Sequence, residues 1–182
     1  MATMQTHFEL FELPVSFEID LKDLSQRYRE LQRIVHPDKF VNASDRERLL
    51  SVEKAAVINE AFQVLKSPQR RARYMLELQS VSFDDEKDMA LDPAFLMEQI
   101  ELREALSELS QSSNPMESLN KIMADIKQRI DAVLDSLAEG LKQENLDDAT
   151  KNNLKQLIHK MQFLNKLQEE AEYQEENLLD AI

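Results

Sequence analysis

The sequence predicts an all-α protein built of two modules, a helical hairpin with short helices beside it followed by an antiparallel three-helix bundle. Three observations carry that prediction. Only one glycine, Gly140, and five prolines occur among 182 residues, too few for the tight turns of a sandwich or barrel. Apolar residues recur three and four places apart over long stretches, the period of a helix with one buried face. Most of those stretches open on a recognisable helix-capping signal.

The first module is assigned to residues 1–79, its helices lying between about Thr6 and Leu78. Asp20 is the N-cap of a helix in which Leu21, Leu24, Tyr28, Leu31 and Val35 repeat at helical spacing. Pro37 ends it, because proline offers no N–H and pushes the residue before it out of the α region. Ser44-Asp45-Arg46-Glu47 reads as a capping box opening the second arm of the hairpin. Leu49, Val52, Ala56, Ile58, Phe62 and Leu65 on that arm are expected to face the first. The 36–43 loop then lies exposed at one end of the hairpin. Ser67-Pro68 begins a short basic helix with Arg70, Arg71 and Arg73.

Residues 80–91, rich in Ser and Asp, form the linker, and residues 92–182 the bundle. Asp92-Pro93 starts its first helix, running to about Gln111, and Asn114-Pro115-Met116-Glu117 caps a second that ends near Gly140. The last helix runs from about Asp147 to Leu179. Leu119, Ile122, Ile126, Ile130, Leu134, Leu137 and Leu141 make a seam along the middle helix. Short connections between three helices favour packing within one chain over the competing long coiled-coil dimer, and a monomer is expected.

Composition excludes several function classes. There is no cysteine, hence no disulfide, no thiolate nucleophile and no thiolate ligand for a cluster. Glycine-rich phosphate loops are ruled out by the glycine count. His7, His36 and His159 have no ligand-spaced partners, so neither a metal nor another cofactor is expected. The net charge of −13 falls wholly on residues 81–182, since the first 80 residues carry 12 basic and 12 acidic side chains. An acidic half of that kind disfavours nucleic acid and anionic membranes. With neither a targeting segment nor an apolar run of membrane-spanning length, a cytoplasmic protein is expected.

Two clusters of residues invite a function. His36-Pro37-Asp38-Lys39 stands at the exposed end of a helix whose Lys22, Arg27, Arg29 and Arg33 lie mostly off the apolar stripe. A basic surface ending on a fixed turn suits an acidic partner. His36 and Asp38 resemble an acid–base pair, yet no nucleophile or third group accompanies them and a helix end is convex, so an enzyme is not expected. In the bundle, Phe95, Leu102, Leu106 and Leu109 share one stripe of the helix after Pro93, whereas Leu96, Met97 and Ile100 fall on the other side among Glu101, Arg103 and Glu104. Phe163 likewise points away from the stripe of Leu154, Leu157, Ile158, Met161 and Leu164. A leftover apolar patch with a charged rim reads as a binding surface.

The His36-Pro37-Asp38 turn, the basic helix before it, Ile58-Asn59-Glu60-Ala61-Phe62 and Arg70-Arg71-Ala72-Arg73-Tyr74 together resemble the J domain, by which co-chaperones bind DnaK-class ATPase chaperones. Glu12, where a glycine commonly follows the first helix, and Met75, where an acidic residue often follows the tyrosine, depart from the usual pattern. Asp92 to Glu104, the extension of the turn to Phe40 and the closing Asn177-Leu178-Leu179-Asp180 make the whole chain similar to the HscB family, J-type co-chaperones of iron–sulfur cluster assembly. The resemblance implies that the turn and basic helix dock on an ATPase chaperone of the HscA type and stimulate ATP hydrolysis. It also implies that Leu96, Met97, Ile100, Glu101, Arg103, Glu104 and Phe163 bind a cluster scaffold protein of the IscU type. A J-type co-chaperone for another client or for general folding is the alternative; a plain helical spacer is a third.

Overall fold

The computed structural model of the chain describes residues 5–40, 43–84, 93–143 and 145–180. Regular structure among them is helical, without a strand. The chain divides into two compact units, Met1–Gln79 and Ser80–Ile182.

The first unit holds α1 (His7–Leu10), α2 (Leu21–Val35), α3 (Asp45–Lys66) and α4 (Pro68–Leu78), with a 3-10 turn, Pro37–Phe40, between α2 and α3. Each helix start is chemically marked. Asp20 accepts from the N–H groups of Lys22 and Asp23, Ser44 and Glu47 close a capping box, and Ser67 caps α4 ahead of Pro68. Thr6 and Glu9 form a further capping box on α1. Between the hairpin arms the Tyr28 and Phe62 rings stack at 4.1 Å. Asn59 Oδ1 accepts from the Tyr28 hydroxyl at 2.9 Å and from Gln32 Nε2 at 2.6 Å. Phe8, Phe11, Leu24, Leu65 and Leu76 are fully buried beneath them.

The expected inner face of α3 needs correction. Ile58, Ala61, Leu65 and Ser51 are buried, but Leu49 and Val52 are 60% and 53% exposed and Ala56 is also outward. α3 carries apolar side chains on two opposite sides, and periodicity cannot say which side α2 will cover.

Two arginines in this unit hold main chain. Glu12 lies in the left-handed region, φ 52°, where glycine would be unstrained and other residues pay about 1–2 kcal/mol. Arg27 steadies that turn: its Nη1 donates to the carbonyls of Phe11 at 3.1 Å and Glu12 at 3.4 Å, and it pairs with the Glu12 carboxylate. Arg71 is 6% exposed, beneath what the sequence reads as a basic helix surface. Its Nη1 donates to the Leu65 carbonyl at 2.5 Å near the open C-terminal end of α3, and its guanidinium lies 5.1 Å from the Phe17 ring. Burial lowers its pKa to about 10.

The second unit holds α5 (Pro93–Ser107), α6 (Pro115–Gly140) and α7 (Asp148–Asp180), with a 3-10 turn at Leu109–Gln111. Asn114 caps α6 ahead of Pro115 through the Glu117 N–H. The expected cap Asp92 and most of the linker lie outside the described residues. α5 ends as an α-helix at Ser107 rather than running to Gln111; the Ser107 hydroxyl bonds back to the Glu104 carbonyl and the chain tightens to 3-10.

α6 and α7 pack antiparallel along their length. Leu119, Ile126, Ile130, Val133 and Leu137 are buried on one, and Leu154, Ile158, Met161, Leu164, Leu167 and Ala171 on the other. Ile122 and Leu134 of the expected seam are half-buried. Gly140 marks a close approach, since a Cβ there would stand 2.7 Å from Leu154 Cδ2. α5 covers the pair with the predicted stripe of Phe95, Leu102 and Leu106, and Leu109 of the following turn is buried too. Its Glu98 ties the three helices together, bonding Arg129 Nη1 of α6 through one oxygen and Lys160 Nζ of α7, at 2.8 Å, through the other.

Candidate functional site

In the first unit, the backbone geometry of the candidate site follows from the proline. His36 is the C-cap of α2 in an extended conformation, φ −57°, ψ 127°, as a residue before proline must be, and the chain then folds into the 3-10 turn, closed by the Lys39 N–H donating to the His36 carbonyl at 3.0 Å. The His36 and Asp38 side chains are 55% and 86% exposed. The Asp38 N–H donates to His36 Nδ1 at 3.3 Å, and the Asp38 carboxylate stands 3.4 Å from the same nitrogen. With Nδ1 accepting, a neutral His36 carries its proton on Nε2, which leaves one imidazole donor and one carboxylate for a partner. The turn thus holds the His36 and Asp38 side chains out in solvent.

The basic helix does not present its cations equally. Lys22, Arg29, Arg33 and the turn's Lys39 are exposed, and none makes an ion pair among the described residues. Arg27 differs: besides holding Phe11 and Glu12, its Nε donates to Asp23 at 3.0 Å. Its charge is paired within the unit, unlike that of Lys22, Arg29 and Arg33.

In the second unit, Leu96, Met97 and Ile100 are 50%, 57% and 42% exposed on α5, beside exposed Glu101, Arg103 and Glu104. Leu96, Ile100 and Arg103, and next to them Met97, Glu101 and Glu104, follow the i, i+4, i+7 spacing of one helix face. Phe95, one residue earlier, is buried on the other side. Phe163 of α7 is less free than its angle suggested. It is half-buried, edge-on to Phe95 with centroids 5.7 Å apart, and the Arg103 guanidinium stands 5.5 Å over its ring. Phe163 thus joins the seam between α5 and α7 to the exposed face. The Glu98 bridge, which periodicity does not reveal because its partners are 31 and 62 residues away, fixes the helix that carries this face.

Among the described residues no helix is long and apolar enough to cross a membrane, and no group of three or more His, Asp and Glu could hold a metal ion.

Both units have counterparts elsewhere. Residues 7–74 match the DnaJ domain family, and residues 91–172 match the family described as the HSCB C-terminal oligomerisation domain. The co-chaperone protein HscB homolog of Photobacterium profundum is 43% identical over 174 residues, covering 96% of this chain and 99% of that one. The structure of chaperone HscB from Vibrio cholerae superposes with a TM-score of 0.86 at 39% identity, over 95% of this chain and 99% of the other. Human co-chaperone protein HscB matches with a TM-score of 0.84 at 26% identity, over 96% and 84%.

Proposed function

Because the chain belongs to the HscB co-chaperone family, we propose that it recruits an iron–sulfur cluster scaffold protein of the IscU type to a DnaK-class ATPase chaperone of the HscA type and stimulates that chaperone's ATP hydrolysis. In this reading the first unit calls the ATPase. Lys22, Arg29 and Arg33, with a smaller share from Arg27, steer it onto an acidic surface, and His36, Pro37, Asp38 and Lys39 make the contact that triggers hydrolysis. The second unit holds the client on Leu96, Met97, Ile100, Glu101, Arg103, Glu104 and Phe163. The protein breaks no bond itself; holding both partners at once raises the effective concentration of one at the other.

The observation that carries the proposal is the pairing of two exposed sites of different chemistry, one in each unit. The first is a polar turn at the end of a helix whose exposed cations make no ion pair among the described residues, suited to an acidic protein; the second is an apolar face with a mixed-charge rim. The deciding experiment measures the ATPase rate of an HscA-type chaperone, with and without scaffold, for the wild type, His36→Gln and Leu96→Ala/Met97→Ala. His36→Gln should abolish stimulation and keep scaffold binding. The double variant should keep basal stimulation and lose the added effect of scaffold. A wild-type protein that leaves the ATPase rate unchanged would overturn the proposal. Tighter binding to unfolded polypeptide than to scaffold would favour a general folding role instead.

A further inference from the structure

The main chain holds the His36-Pro37-Asp38 turn onto α2 only weakly. Pro37 has no N–H to close on the Arg33 carbonyl, and the Asp38 N–H is turned to His36 Nδ1 at 3.3 Å. The last turn of α2 therefore depends on side-chain anchors. Val35, 7% exposed, is one of them, on the core side. Gln32 is a second, on a different stripe. Tyr28 and Gln32 stand four residues apart on α2, and His36 is the next position of that stripe, where the helix stops. Both end on one atom of α3: Asn59 Oδ1 accepts from the Tyr28 hydroxyl at 2.9 Å and from Gln32 Nε2 at 2.6 Å. From Gln32 to His36 is a single helical turn, about 6 Å.

Asn59 lies at the edge of the packed face of α3, next to buried Ile58 and two places before buried Ala61. The stack of Tyr28 on Phe62, at 4.1 Å, brings the Tyr28 hydroxyl beside it. An amide oxygen has two lone pairs, and here each meets a donor. Such a contact is directional where apolar packing is not. It fixes the rotation of α2 about its own axis as well as its height along α3, and whatever follows Gln32 moves with that rotation. Lys22, Arg29 and Arg33 take no part in these bonds. Resting on the proposed stimulation of an ATPase chaperone, we infer that Asn59 is a positioning residue, which through Gln32 and Tyr28 sets the register of α2 on α3 and so aims His36 and Asp38 at the chaperone. A turn already in place needs no ordering at the moment of contact. A loosened turn is still brought in by the cations, but it is competent for a smaller share of the time. Asn59 therefore acts on the maximal rate of stimulated hydrolysis, and the cations on the concentration at which stimulation sets in.

The test titrates the full-length protein into an HscA-type chaperone and reads the maximal ATPase rate and the half-maximal concentration separately. The variants are Asn59→Leu, Asn59→Asp, Gln32→Met, Asn59→Leu/Gln32→Met and, as control, His36→Gln, each with a melting curve and backbone ¹⁵N relaxation. Asn59→Leu and Gln32→Met should lower maximal stimulation about fivefold, the effect of ordering one or two side chains on contact, and leave the half-maximal concentration within about twofold. Asn59→Asp keeps an acceptor for both donors and should restore the maximum. The double variant should lose no more than Asn59→Leu alone, because both changes break the same bond. Relaxation should show the His36 and Lys39 amides more mobile in Asn59→Leu and as in wild type in Asn59→Asp. If the variants, folded, reach the wild-type maximum while His36→Gln abolishes stimulation, Asn59 is merely structural and the inference falls while the proposed function stands. A raised half-maximal concentration at an unchanged maximum makes Asn59 a docking contact, and the inference falls. So it does if Asn59→Asp recovers nothing. If the wild type itself leaves the ATPase rate unchanged, the proposed function falls and takes this inference with it.

Discussion

Truncating Leu96 and Met97 together to alanine probes the proposed client face most directly, and the structure sets the size of the effect. Fully burying a leucine or methionine side chain contributes about 1.5–3 kcal/mol. Leu96 is 50% and Met97 57% exposed, so roughly half of that, about 1 kcal/mol each, is still available to a partner. The pair then accounts for about 2 kcal/mol, which at about 1.4 kcal/mol per decade weakens scaffold binding about 30-fold. The halves already buried are lost as well, at a cost to the bundle of similar order. A second variant, Leu96→Gln/Met97→Gln, therefore keeps side-chain length and helix propensity and should lose a similar affinity. The assay is calorimetric titration of scaffold, with circular dichroism melting of each variant. Kd values within threefold of wild type for both variants would refute the reasoning. So would an affinity loss that tracks the loss of helical signal. Phe163 is left out of this experiment because it is half-buried against Phe95, and its removal would disturb the α5–α7 seam along with the face.

Three further outcomes are expected. Glu98→Ala breaks the bond of α5 to both α6 and α7, and because these side chains are 21–29% exposed the cost is about 1–2 kcal/mol, read as faster amide exchange in α5 with α2 and α3 unchanged. Arg29→Glu/Arg33→Glu should raise the protein concentration needed for half-maximal ATPase stimulation and flatten its salt dependence, since both cations are exposed and make no ion pair among the described residues; an unaltered salt dependence counts against electrostatic steering. His7 stacks on Tyr74 at 4.2 Å, and burial lowers its pKa from the ordinary 6.5 although Glu60 and Glu77 oppose this. The unfolded chain then binds more protons than the folded one, so this contribution to stability is whole above pH 6.5 and lost as the pH falls below it. His7→Phe, which can keep the stack, should flatten that slope in urea titrations between about pH 7 and 5.

Much of this architecture was legible because its signals are local. Ser44 with Glu47, Ser67 with Pro68 and Asn114 with Pro115 start helices through contacts three residues apart, and the structure places them there. His36-Pro37-Asp38 ends a helix for a reason that lies within the tripeptide. The separation of Phe95, Leu102 and Leu106 from Leu96, Met97 and Ile100 needs only the helical period, and burial follows it.

What failed to show in the sequence depends on partners far along the chain. α3 is apolar on two sides, and only the seating of α2, with Tyr28 on Phe62 and Asn59 joining two side chains, decides that Ile58 and Leu65 turn inward while Leu49 and Val52 stay out. Arg27 reads as one more docking cation until the left-handed Glu12 brings the carbonyls of Phe11 and Glu12 beneath it. Glu98 and His159 are anonymous among charged and polar neighbours, and packing gives one two cations and leaves the other a buried nitrogen without a partner among the described residues. Helices, caps, the His36-Pro37-Asp38 turn and the leftover apolar face were thus determined by the sequence alone, because each rests on steric and hydrogen-bond rules acting within a turn or two. Which face of α3 is covered, which arginine is tied down and which histidine is buried were decided by the tertiary structure, because burial and pairing depend on which distant side chains the packing brings together.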